Sequence, residues 1–228
     1  RLLYEARPYE REPGATNVLA DKWTQIGREA IRKGSVHSYV KLTRQMVKEF
    51  GALPKINVKK PRVGLVGEIL VKYHHNANNN AVELIEAEGG EAIVPDMLGF
   101  FEYSALDNIV RYKLLSGKRI SAFLGRAGIF FLERLRAPFR RLLRKQGFSV
   151  PHSIYHLADC ATEVVSLGNM CGEGWFLSGE MIDLIHEGVD NIICMQPFAC
   201  LPNHVVGKGA IRAIRDKYPN ANIVAVDY

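Results

Sequence analysis

Four short apolar runs constrain what this chain can fold into. They are RVGLVGE from Arg62 to Glu68, EAIV from Glu91 to Val94, IICM from Ile192 to Met195 and IVAV from Ile223 to Val226. Each has the length and side chains of a buried strand, and the first is Gly-rich, as the opening strand of a parallel sheet often is. Helical patterns lie between them, over about 79–88, from Met181 to His186 and over about 208–217. Strand, helix and strand in this order make βαβ units with right-handed crossovers. The expected fold is a three-layer, Rossmann-like α/β domain whose mostly parallel sheet has about four strands. The main domain is expected over 59–228, with a helical insertion at about 100–147 and a helical lead-in, 1–58, packed on it.

The lead-in starts with ten residues that read as irregular, punctuated by Pro8 and Pro13-Gly14. Asn17 or Asp21 is then placed to cap a helix through Ile31. Ser35 is placed to cap a second helix that Gly51 stops. In the insertion, breaks are expected at Gly117, at Gly125-Arg126-Ala127-Gly128 and at Pro138. Ser178 is placed to cap the helix that begins at Met181.

The densest stretch is NIICMQPFACLPNHVVGKG, from Asn191 to Gly209. A strand breaks at Gln196-Pro197, an irregular loop carries Cys200 and His204, and a helix follows. In open α/β sheets ligands collect at the carboxyl ends of the strands. That places Cys200 where chemistry is expected. A second stretch, GEGWFLSGE, sets glycines on both sides of Glu173, which lets the backbone pass close to a neighbour.

Charge is uneven. Arg111 to Lys145 holds eleven Lys and Arg against one acid, Glu133, so this one basic element carries about +10 and the rest of the chain about −4. No aromatic–basic interleaving marks a nucleic-acid platform. No run of 18 apolar residues indicates a membrane span, and the N-terminus lacks a signal peptide's apolar core. Four cysteines with no CxxC spacing argue against a disulfide scaffold or a self-contained zinc site. Reduced thiols in the cytoplasm are expected. The start at Arg1, and a chain that stops just past its last strand, point to a piece of a longer protein.

Two familiar signatures are incomplete. The run VGLVGE lacks the third glycine of GxGxxG and puts a carboxylate, Glu68, where a pyrophosphate would sit. His156 and Cys160 share a helix face at i, i+4, but two further metal ligands are not positioned by sequence.

Four motifs together, VGEILVKYHHNANN, GEGWFLSGEM, NIICMQPFACLPNHVVGKG and ANIVAVDY, resemble the 2-hydroxyacyl-CoA dehydratase-like region of large fused CoA-substrate-specific enzyme activases. The resemblance covers residues 60 to 228. It implies an oxygen-sensitive [4Fe-4S] cluster held by thiolates from separate parts of the chain, and a role in reductive dehydration of 2-hydroxyacyl-CoA. It also implies partners: an ATPase activase region of the same longer chain, and acyl-CoA. Cys200 is then the first ligand candidate and Cys171, beside the Gly-Glu-Gly turn, the second. Cys194, inside an apolar run, is expected in the core. Glu68, Asn79, Glu173, Glu180 and His204 either line the cluster or acyl-CoA cleft, or serve as caps and loop hydrogen bonds. No ATPase phosphate loops are present, so ATP hydrolysis is not expected of this chain alone.

Two other functions fit the residues. One is a non-catalytic α/β binding module that docks a partner subunit or acyl-CoA through the basic helix from Ile129 to Lys145. The other is a nucleotide-binding enzyme that uses Gly207-Lys208-Gly209 at a helix N-terminus as an anion site, although the segment lacks the GxxxxGK[ST] pattern.

Overall fold

The computed structural model describes residues 1–34 and 36–228. Four strands form one sheet, each near its expected place: β1 (Arg62–Gly67), β2 (Glu91–Ile93), β3 (Asn191–Gln196) and β4 (Asn222–Asp227). All neighbours are parallel, in the order β2-β1-β3-β4. With helices around the sheet, this is the three-layer, Rossmann-like α/β fold. From β1 the chain steps outward to β2, crosses back over β1 to lay down β3, and continues to β4. The strand order therefore reverses between β1 and β3, which makes their carboxyl ends a topological switch point.

Register fixes which side chains meet. Val66 lies beside Cys194, and Cys194 beside Ala225. Val66, Ile192, Cys194 and Ile223 share a core with Leu177, Met181 and Ile182 of α9 (Trp175–His186) and with Ile211 and Ile214 of α10 (Gly209–Lys217). The other face carries Leu65, Ala92 and Met195, all fully buried. Gly67 allows β1 to close on β3: a Cβ there would lie 1.9 Å from the Met195 carbonyl oxygen.

The chain divides into two compact units. One holds 1–60 and 134–151, the other 61–133 and 152–228. The stretch expected as one insertion is thus shared, with the boundary inside a single helix. In the larger unit, α4 (Ile69–Tyr73) and α5 (Ala81–Ala87) follow β1, while α6 (Leu98–Leu114) follows β2. Next comes α7 (Arg119–Lys145), whose first half lies in this unit, and then α8 (Ile154–Ala161). Tyr103, Ile109, Ala122, Ile129, Leu157 and Trp175 form a second core from these helices.

In the smaller unit, Ala6, Trp23, Val47, Phe50 and Phe148 pack α1 (Leu2–Ala6), α2 (Ala15–Lys33) and α3 (Val36–Gly51) with the segment 134–151. An apolar cavity of about 380 Å³ is lined by Trp23, Ile26, Leu42, Met46 and Leu135.

Several local expectations are corrected. The first ten residues are helical, as α1 and a 3-10 turn, because Ala6 is drawn into the core and Glu5 is hydrogen-bonded to Ser149. Neither Asn17 nor Asp21 caps α2. The Glu10 carboxylate does so from outside the helix, accepting from the backbone N–H of Gly14 (2.7 Å) and Thr16 (2.8 Å). The proposed cap Ser35 lies outside the described residues. A break does fall at Gly117, but Gly125, Gly128 and Pro138 lie within α7. At Gly125 the glycine serves helix contact: a Cβ would sit 2.4 Å from the Ala105 carbonyl oxygen of α6. Ser178 lies inside α9 and donates to the Val206 carbonyl instead of capping (3.1 Å).

Candidate functional site

Three loops meet at the switch point. The first leaves β1 at Glu68, whose carboxylate accepts from Val71 N–H (2.9 Å) and caps α4. Glu68 therefore has a helix-capping role at the turn where a dinucleotide fold would place its phosphates. The second is the Cys171–Gly174 turn before α9. The third leaves β3 at Pro197, carries Cys200, and runs through a π-helical turn (Asn203–Lys208) into α10.

Glu173 ties the three together. One carboxylate oxygen accepts from the Ile69 N–H (3.2 Å) and the other from the Asn203 amide (3.1 Å). Its flanking glycines are where the backbone passes close to neighbours, as expected. A Cβ at Gly172 would meet Pro202 at 2.9 Å, and one at Gly174 would meet the Asn169 carbonyl oxygen at 2.1 Å. Both have positive φ, +60° and +45°. The turn bearing Cys171 therefore lies directly on the loop bearing Cys200.

Cys200 is partly exposed and Cys171 exposed. The Asn203 amide donates to the Cys200 sulfur at 3.0 Å. His204 donates to the Cys200 carbonyl from its backbone N–H (3.0 Å), and its ring Nδ1 sits 2.9 Å from the same oxygen. Its other ring nitrogen faces Asp227 at 3.5 Å. The Gln196 amide, above all, and then Lys208 and His204 hold the Asp227 carboxyl below its ordinary range. Lys208, the cation of the proposed anion site, faces Asp227 at 3.6 Å. Two buried acceptors at this edge, Asn203 Oδ1 and Gln196 Oε1, have no hydrogen-bond partner. Such groups cost stability unless something donates to them.

Behind the loops, Lys72 and Glu180 form an ion pair at 2.8 and 2.9 Å with both side chains almost fully buried. Glu180 thus anchors α9 to α4. Asn79 is exposed in a left-handed turn, φ +54°. Its neighbour Asn78 holds the loop, donating to the Val71 carbonyl (2.8 Å) and accepting from Ala81 N–H (3.2 Å). Cys194 is fully buried, with its thiol pushed up to about 12 by desolvation.

The amino-terminal end of the sheet carries a second constellation. His156 and Cys160 on α8 face Asp183 and His186 on α9. Sequence showed only the first pair, because the other two ligand-type residues come from a helix whose apolar run reads as plain core.

No protein-family model, curated protein or solved structure matches the chain. No helix of the described residues is long and apolar enough to cross a membrane.

Proposed function

We propose that this chain belongs to an iron–sulfur-dependent system of reductive 2-hydroxyacyl-CoA dehydration, as its motifs imply, and that Cys200 and Cys171 are cluster ligands at the switch-point crevice. The observation that carries the reading is the abutment of two solvent-reached thiols on adjoining loops, one of them already receiving an N–H···S hydrogen bond. Hydrogen bonds to ligand sulfurs and partial exposure are the levers that set a cluster's potential. The fit is that of half a ligand set. Cys194 is walled into the core and Cys160 lies on α8, so two further thiolates would come from another part of a longer chain.

A [4Fe-4S] cluster bound there would supply one-electron transfer toward an acyl-CoA. The chain's own residues do the positioning. Glu173 locks the Cys171 turn to both other loops, Asn203 orients the Cys200 sulfur, and His204 holds the Cys200 carbonyl. The test is anaerobic reconstitution of the full-length protein with iron and sulfide. Cys200→Ser is expected to lose visible absorbance and acid-labile sulfide, while Cys160→Ser keeps both. Full cluster content in Cys200→Ser overturns the assignment.

The apolar cavity lined in part by Leu135 of the basic helix favours a second reading, a non-catalytic module that binds an acyl-CoA. Apolar concavities of this size suit an acyl group, and arginines suit CoA phosphates. Here Cys200→Ser leaves binding intact, and reversing Arg140, Arg141 and Arg144 to Glu abolishes it.

A further inference from the structure

His156 and Cys160 stand one turn apart on α8, and Asp183 and His186 stand one turn apart on α9. Cys160 Sγ lies 3.6 Å from His156 Nε2 and 3.8 Å from His186 Nδ1. A thiol has one proton, so at these separations, ordinary for sulfur, it can donate to only one of the two rings. Both separations also match the edges of a tetrahedron: zinc bonds of 2.0–2.3 Å put ligand nitrogen and sulfur about 3.6 Å apart. Asp183 Oδ1 sits 3.0 Å from His156 Nε2 and belongs with His152 and His156, not with Cys160 and His186.

The surroundings are those of a metal site. His186 presents Nδ1 to the sulfur and Nε2 to the Tyr218 hydroxyl at 2.8 Å. Tyr218 in turn donates to the Glu163 carboxylate at 2.5 Å. This chain of contacts fixes the ring and its tautomer, as carboxylates commonly do for metal-bound histidines. His152 holds Asp183 at 2.7 Å. Cys160 is buried, while the two imidazoles reach solvent, which gives an ion a way in.

From these distances the structure assigns a mononuclear zinc-type site to His156, Cys160 and His186, with a water in the fourth position. Two imidazoles and a thiolate are the donor set of Zn²⁺ rather than of Mg²⁺ or Ca²⁺. The site clips α8 to α9 at the amino-terminal end of the sheet, away from Cys200, and it stands whether or not the iron–sulfur reading holds.

The experiment is titration of the metal-free full chain with Zn²⁺ by calorimetry and, in parallel, with Co²⁺ by absorption spectroscopy. One equivalent should bind, and the Co²⁺ form should show a thiolate-to-cobalt charge-transfer band. Cys160→Ser removes the band and Cys200→Ser keeps it. His156→Gln, at a half-exposed position that leaves the fold intact by circular dichroism, weakens binding on the order of 100-fold, and Tyr218→Phe about 10-fold. No stoichiometric binding by the wild-type chain, a band that depends on Cys200, or unchanged affinity in His156→Gln overturns the site.

Discussion

Asp107 ties the stability of the larger unit to pH in a direction opposite to most carboxylates. It sits on α6 at 8% exposure, accepting from the Trp175 indole at 3.2 Å. Burial pushes its carboxyl from 3.8 up to about 6, against the smaller opposing pull of the Trp175 and Tyr103 hydrogen bonds and Arg111. A raised value means that the folded chain holds this proton more tightly than the unfolded one. The contribution is therefore full below about pH 4 and is lost as pH rises through about 6. At about 1.4 kcal/mol per pH unit, the whole penalty is about 3 kcal/mol, and about 2 kcal/mol of it develops between about pH 4.5 and pH 7.5. Asp107→Asn keeps an oxygen for the indole and cannot ionise. Urea unfolding of wild type and Asp107→Asn at both pH values isolates the group. The variant is expected to gain about 2 kcal/mol on wild type as pH rises. Parallel stability curves would refute the argument.

Lys72→Met leaves Glu180 buried without its cation, and it should cost about 3–5 kcal/mol by chemical denaturation, whereas Lys72→Met with Glu180→Leu recovers most of that. Because burial already raises the Glu180 carboxyl, the single variant's deficit should shrink as pH falls and the group takes up a proton. Gly174→Ala forces a Cβ against the Asn169 carbonyl at positive φ and is expected to lose at least about 2 kcal/mol by thermal melting. Gly27→Ala, in helical backbone with nothing within 4 Å, should instead gain about 0.5–1 kcal/mol; a loss there would contradict the packing described for α2.

The strands were legible because buried parallel strands need unbroken apolar runs, and Gly or Pro bounded them here. What stayed hidden came from distant partners. Glu10 caps α2 across a loop, so its neighbours Asn17 and Asp21 attracted the assignment. Gly125 looked like a helix breaker because the α6 carbonyl that requires it is twenty residues away in sequence. At the carboxyl ends of the strands, Cys200, Glu173 and His204 were singled out by position, since each lies just past a strand or before a helix. Asn79 was not separable from Asn78 by sequence: three consecutive asparagines occupy one turn, and only the fold shows which points inward. The zinc-type group was half visible, as an i, i+4 pair, and its other half lay on a helix apolar enough to pass as core.

That helix, α9, has a mechanical consequence. Its twelve residues make a bar about 18 Å long, sunk in the interior for most of its length. Glu173 grips its leading tip and His186 its trailing one. A bar so held has little freedom to slide, so clamping the trailing tip with an ion would steady the Cys171 turn at the far end.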